Sequence, residues 1–206
     1  MIRMQWLVFL MVSCAVHAMT DAQEWKPAPA PLMTQWAKDV RPDHVWPEYP
    51  RPQMVRDDWQ NLNGLWDYAI RPREGEKPTS WDGKILVPFC VESALSGVGK
   101  AVKPTERLWY HRTFQKPATR ADSRVLLHFG AVDWETTVWV NGKELGRHTG
   151  GYDPFTFDIT DALRDGENEI VLAVWDPTDT GYQPRGKQVL EPKGIWYTAV
   201  TGIWQT

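Results

Sequence analysis

Cysteine is nearly absent from this chain. Of its 206 residues only Cys14 and Cys90 are cysteines, and Cys14 falls in an N-terminal stretch that reads as a removable address. No intramolecular disulfide is therefore expected, and a hydrophobic core must hold the fold. The spacings of a metal centre are also missing: His44, His111, His128 and His148 are scattered, with no His-x-x-x-His and no Cys-x-x-Cys. Ser93 and Ser96 lack the Gly-x-Ser-x-Gly elbow of a serine hydrolase. No glycine-rich cradle follows a strand and opens a helix, so nucleotide binding is not indicated. Neither a cofactor nor a metal is expected. A net charge of −3 argues against nucleic acid or an anionic membrane as partner. Long helical periodicity and fixed-period repeats are lacking as well, which excludes solenoids and propellers.

The first residues carry a different signal. Arg3 precedes an apolar run over residues 6–16, and Val16-His17-Ala18 offers a small-residue cleavage site. This pattern predicts a secretory signal peptide over residues 1–18 and an exported protein, periplasmic or extracellular. A membrane span needs about 20 apolar residues, whereas Ser13 interrupts this run and His17 and Asp21 follow it. Cys14 raises lipidation as an alternative, although Met11 is poorly suited to the position three before it. Residues 19–52 then hold Pro27, Pro29, Pro31, Pro42, Pro47, Pro50 and Pro52 with no sustained apolar alternation. They read as an extended arm, with Trp25, Trp36, Trp46 and Tyr49 expected to lay part of it along the folded body.

From residue 53 to the last residue the chain reads as one all-β domain. Strands are predicted over 65–70, 84–87, 108–114, 124–129, 135–140, 155–157 and 169–175, short and separated by Gly, Pro, Asp and Asn turns, the pattern of a β-sandwich. Asn141-Gly142 supplies two left-handed positions for a tight hairpin, with the return strand starting at 143–145. Residues 158–163 predict one helical turn with Thr160 as N-cap. Thirteen Trp residues make a large core believable, since each aromatic ring buries on the order of 150–250 Å². Cys90, in Pro88-Phe89-Cys90-Val91, is expected to be buried. The polar loop Asp176-Pro177-Thr178-Asp179 with Gln183-Pro184-Arg185-Gly186-Lys187-Gln188 gathers carboxylates, amides and cations, and from composition alone it fits either a solvated surface or a binding site.

Gly130 to Gly151, GAVDWETTVWVNGKELGRHTGG, together with Tyr152-Asp153-Pro154-Phe155, Asp158-Ile159-Thr160-Asp161 and Thr201-Gly202-Ile203-Trp204-Gln205-Thr206, resembles the N-terminal sugar-binding domain of the family 2 glycoside hydrolases, which include β-galactosidases and β-glucuronidases. The resemblance runs from about Trp59 to the end. It implies a galactose-binding-like jelly-roll sandwich, truncated at its C-terminal end, whose parent continues into an immunoglobulin-like domain and a (β/α)₈ barrel. In retaining glycosidases two carboxyl groups lie about 5–5.5 Å apart, and in this family both are barrel glutamates, so no catalytic residue is assigned here. The resemblance further implies an acidic residue on the loop after strand 169–175 that reaches the sugar; Asp176 and Asp179 both match. Arg185, Lys187 and Gln188 complete the candidate substrate-binding set, and the loop 92–103 matches one that skirts the active site. Asn168-Glu169 mimics the family's acid/base pair, but as the opening of a strand it reads as a solvent-facing edge. Asp133 and Glu135 share a strand face at i, i+2, so a carboxylate pair is conceivable, but their place in the sandwich that the resemblance implies favours a structural or loop-fixing role. Gly150 to Phe155 also reads as structural, with Tyr152 and Phe155 packed.

Together these features predict a non-catalytic, sugar-binding domain of an exported retaining β-glycosidase, with a carbohydrate as ligand, the downstream domains as partners in the parent, and a homo-oligomer of the parent compatible with the sequence. The alternative is a free-standing carbohydrate-binding module of the same shape, with Trp134, Trp139 and Tyr152 as its aromatic face.

Overall fold

The computed structural model describes residues 25–47, 56–120 and 122–206; the expected signal peptide, and Tyr49, Pro50 and Pro52 of the arm, lie outside them. Among the described residues twelve strands follow in chain order: β1 (Gly64–Pro72), β2 (Gly83–Val87), β3 (Glu106–Gln115), β4 (Leu126–Phe129), β5 (Val132–Asp133), β6 (Glu135–Val140), β7 (Lys143–Thr149), β8 (Phe155–Asp158), β9 (Glu167–Trp175), β10 (Gln188–Val189), β11 (Tyr197–Thr198) and β12 (Gly202–Ile203). One antiparallel sheet of six strands, ordered β2-β1-β3-β9-β6-β7, forms the main layer. The pairs β4-β8 and β5-β12 face it from the other side of the core. The architecture is the expected β-sandwich.

Alternation along the strands explains the layers. Trp66, Leu108, Tyr110, Val138, Val140, Ile170, Leu172 and Val174 point inward and meet Leu127, Phe129, Val132, Ile159 and Ile203 of the opposite layer. Successive strand residues point to opposite faces, so Ala69, Trp109, Val171 and Ala173 emerge on the outer face of the six-stranded sheet. There Trp81 and Trp139 pack against them, with the Trp109 and Trp139 rings stacked 5.8 Å apart. The central strand β9 is therefore apolar on both faces. His111 sits on this outer face, 2.8 Å from the Asp67 carboxylate and stacked on Trp81. His128 is bonded to Thr156 Oγ1. Both histidines are satisfied within the fold.

The Asn141-Gly142 hairpin forms as expected, with φ of 51° and 80° at its two central residues. Its register with β9 brings Asn141 beside Asn168, which makes four hydrogen bonds: it accepts from Asn141 Nδ2 and the Arg164 amide and donates to the carbonyls of Arg164 and Gly166. Glu169 instead faces Lys77 and His111 on the outer surface. The resemblance of Asn168-Glu169 to a catalytic pair is thus incidental. The turn at Thr160–Ala162 is a 3₁₀ turn whose N-cap is Ile159, not Thr160. Asp158 Oδ1 accepts the Thr160 amide proton, which frees the Thr160 hydroxyl to accept from the Val125 amide.

The arm over 25–47 lies partly along the body. Ala28 donates to the Ala94 carbonyl, Trp25 Nε1 to Ser96 O, and the amides of Asn61 and Asn63 bond to the carbonyls of Trp46 and Val45. Trp36 and Trp46 remain exposed. Cys90 is half-buried rather than buried.

Because Asn168 is buried and serves four backbone and side-chain partners, Asn168→Ala is expected to cost about 2–4 kcal/mol, measured by denaturant unfolding, while Glu169→Gln changes stability by less than about 1 kcal/mol.

Candidate functional site

Strand β9 ends at Trp175, and the polar loop begins with Asp176, which is only 2% exposed. Its Oδ1 accepts the Thr178 amide at 2.7 Å and its Oδ2 accepts the Thr201 hydroxyl at 2.8 Å. Thr178 sits at φ 51°, a conformation rarely adopted by β-branched residues. The Asp176 bond and the Gln183 side-chain amide on the Thr178 carbonyl hold it there. A loop that looked solvated in sequence is thus anchored at its root by a buried carboxylate.

Two further acids converge on the same root. Glu92 accepts the Thr201 amide at 2.9 Å, and its other oxygen is buried without a partner. Asp133, 3% exposed at the end of β5, accepts from Gln188 Nε2 at 3.2 Å. That amide also donates to Tyr152 Oη at 3.1 Å, while Gln188 Oε1 accepts the Val200 amide at 2.6 Å. Gln188 therefore ties three loops together. Gly151 is required at this contact, since a Cβ there would overlap the Asp133 carboxylate. Burial pushes Glu92 and Asp133 up to about 7, and the nearby Asp176 charge adds to both shifts. Burial raises Asp176 as well. Like charges in a dry site disfavour simultaneous ionisation.

Around this root the rim is wet and aromatic. Asp179 accepts from the Leu190 amide and lies 4.0 Å from Arg185, whose guanidinium stands 5.7 Å from the Trp196 ring. Lys187 Nζ is 5.8 Å from the Tyr197 ring. The parallel pairing of β10 with β11 places Gln188 beside Tyr197. Tyr182, Ile195, Trp196, Tyr197 and Tyr152 are all exposed. Exposed apolar surface rimmed by polar groups marks an interaction face, and flat rings beside hydrogen-bonding groups suit a pyranose.

The five candidate residues occupy two levels: Asp176 is at the root, Asp179, Arg185 and Lys187 are on the rim, and Gln188 bridges them. Asp133 and Glu135 are structural, as expected: Glu135 turns to Arg147 while Asp133 fixes the loop through Gln188. Two sequence expectations are corrected. Tyr152 is 51% exposed rather than packed, with only an edge contact to Trp204. Trp139 lies over Trp109 on the outer sheet, so it does not join Tyr152 in one aromatic face. The loop holding Glu92 and the loop-fixing role of Asp133 are legible in the sequence, whereas the convergence of both carboxyls on Asp176 and the part of the 195–197 segment are not, because nothing local marks them. Among the described residues no group of three or more His, Cys, Asp or Glu is placed to hold a metal ion. Burial and the neighbouring Glu92 push the Cys90 thiol up to about 12, which leaves it protonated and unreactive at neutral pH.

An all-β sandwich with a polar and aromatic loop face at the end of β9 is the framework of a sugar-binding domain. The family model for the sugar binding domain of the glycosyl hydrolases family 2 matches residues 87–205, and the chain belongs to that family. It is 27% identical over 133 residues to a β-glucuronidase of Paenibacillus borealis, covering 61% of this chain and 22% of that one. It is also 39% identical over 66 residues to a β-galactosidase of Thermoanaerobacter pseudethanolicus, covering 32% of this chain and 9% of that one. The solved β-glucuronidase of Lactobacillus rhamnosus superposes with a TM-score of 0.48 at 30% identity, over 57% of this chain and 21% of that one. The chain thus spans about a fifth or less of the length of these relatives.

Glu92 and Asp133 hold protons more tightly when folded than unfolded, where carboxyls titrate near 4. Through these two groups the folded state binds more protons between about pH 4 and about 7, so their contribution to stability falls as pH rises through that window. Asp133→Asn is expected to flatten this dependence and to raise stability at pH 8 by about 1–2 kcal/mol, read from urea midpoints across pH.

Proposed function

We propose that this chain is the non-catalytic, sugar-facing domain of an exported retaining β-glycosidase of the β-galactosidase or β-glucuronidase type. Gln188, Asp179, Arg185 and Lys187 present polar groups to the glycone pocket, and Asp176 positions them from below. The observation that carries this reading is the Gln188 amide shared between Asp133 and Tyr152 at the foot of an exposed aromatic rim. Hydrolysis with retention needs two carboxyl groups open to the glycosidic bond. Asp133 and Asp176 are buried, and their carboxylates are engaged by Gln188, Thr178 and Thr201. They can hold a loop but not reach an anomeric carbon. The reactive carboxylates belong to an immunoglobulin-like and barrel portion of the parent. Export rests on the basic, apolar and small-residue pattern of residues 1–18.

The exposed Tyr182, Trp196 and Tyr197 favour a second reading, a carbohydrate-binding module that works alone. Two measurements on the purified chain separate the readings. With nitrophenyl β-galactoside and β-glucuronide it should release no nitrophenol above buffer; genuine turnover overturns the non-catalytic role. Calorimetric titration with galactose and glucuronic acid should give dissociation constants weaker than about 1 mM. Tighter, saturable binding that Trp196→Ala abolishes in a folded protein transfers the case to the module.

A further inference from the structure

Two arginines on the outer face of the six-stranded sheet carry charge that the chain does not neutralise. Leu108 points into the core, and side chains alternate along a strand, so its neighbour Arg107 on β3 points to the outer face. One step past the Leu108–Val174 pair, Trp175 ends β9 on that same face. Its ring is fixed by a 2.7 Å hydrogen bond from Nε1 to the Pro104 carbonyl, and the Arg73 guanidinium lies 3.6 Å from the ring centroid. Strand β3 runs between β1 and β9. Arg73, which follows β1, therefore crosses β3 to reach this ring, and the two arginines converge at Trp175.

The acids nearby are already engaged. Arg71, opposite Arg107 on β1, shows what a satisfied arginine looks like here: its guanidinium bonds to Asp82 and to the carbonyls of Ile70 and Ser80. Glu135, opposite Trp175 on β6, turns to Arg147, and Asp67 turns to Lys84 and His111. Arg107 Nε and Arg73 Nε are both buried without a hydrogen-bond partner. The carboxylate that comes near is that of Glu74, which is 88% exposed and 3.5 Å from Arg73 Nε. Among the described residues no hydrogen bond or ion pair engages the Arg107 guanidinium. Neither arginine can shed its proton, so their mutual repulsion is relieved by an anion and not by titration. The stack on Trp175 occupies the flat face of the Arg73 guanidinium and leaves its N–H edge for an acceptor in the same plane.

We propose that Arg73 and Arg107 form a binding site for the carboxylate of an acidic sugar, a uronate, on the outer sheet face where β9 gives way to the 176–188 loop. Guanidinium forks match a planar carboxylate with paired N–H donors. The Arg73 side chain is 39% exposed, which leaves the site open to a ligand. That the carboxylate belongs to a sugar rests on the sugar-facing reading of the domain; that these two cations take a carboxylate does not.

Side-chain nitrogen NMR of the purified chain, titrated with glucuronate, acetate and glucose, tests the site. Glucuronate should move the Arg73 and Arg107 Nε–H signals together, with a dissociation constant on the order of 5 mM. Acetate should move the same signals with affinity at least about threefold weaker, and glucose should leave them in place. Arg107→Met removes an unpaired cation, so it should hold or raise the thermal midpoint while weakening glucuronate binding about tenfold or more. Arg107→Lys keeps the charge without the fork and should weaken it about threefold. No movement of either arginine signal overturns the site, as does an Arg107→Met variant whose midpoint falls by more than about 3 °C while glucuronate binding stays intact. Acetate that equals glucuronate overturns the sugar as carrier of the carboxylate. Shifts confined to Arg185 and Gln188 place the ligand on the loop face, which overturns this site and leaves the sugar-facing reading standing.

Discussion

Strand β9 is the member on which the rest of the structure depends. It is hydrogen-bonded to β3 on one side and β6 on the other, and it is apolar on both faces. A strand in that position cannot shift by one residue without turning Ile170, Leu172 and Val174 out of the core. Its fixed register sets the height at which Trp175 ends the sheet and Asp176 begins the loop. Asp176 then fixes Thr178 and Thr201, and Thr201 in turn meets Glu92. Hydrophobic burial in the middle of the sheet is thereby converted into the position of polar groups at its end.

That conversion has an electrostatic cost. Glu92, Asp133 and Asp176 are brought close together where water is excluded, and each is shifted toward its protonated form. A fold selected for stability alone would not gather three acids in one dry site, because uncompensated buried charge is destabilising. What the arrangement provides is rigidity: Gln188 and Thr201 link separate parts of the chain through hydrogen bonds to the carboxyl groups of Asp133, Glu92 and Asp176, and Gln188 adds bonds to Tyr152 and Val200. Groups held this way lose little further entropy when a ligand arrives.

The strands of the main sheet were legible in the sequence because each is a short apolar alternation closed by a turn residue. The prediction over 135–140 matches β6 at both ends, and the Asn141-Gly142 hairpin follows from two residues that tolerate left-handed backbone. The two-residue strands β5, β10, β11 and β12 carry too few residues for a period to show. Of the site, composition marks the 176–188 loop as polar but does not separate a solvated surface from a binding face; the family resemblance favours the latter. The loop's division into a buried root and an exposed rim is not legible there, because it depends on Thr201 and Glu92, which are remote in sequence. Asp133 and Glu135 have the spacing of a shared strand face, yet a structural or loop-fixing role is the reading that the fold bears out for Asp133. The spacing is real, but the chain bends between β5 and β6, so their side chains find different partners. Tyr152 was expected to pack because it is aromatic; instead the Gln188 amide holds its hydroxyl at the surface.

The two layers differ in how far each closes itself. The six-stranded sheet covers even its outer face, where Trp81 and Trp139 lie over Ala69, Trp109, Val171 and Ala173. The facing layer is divided into β4-β8 and β5-β12, with a cleft opening beside β4. The two pairs converge around Gly130: its neighbour Ala131 accepts from Trp204 and it donates to Thr206 itself. The same β5-β12 pairing positions Asp133 opposite Gly202 and carries Thr201 to Asp176. The element that closes the core beside β4 is thus the one that holds the carboxyl root, so core packing and loop position are set together.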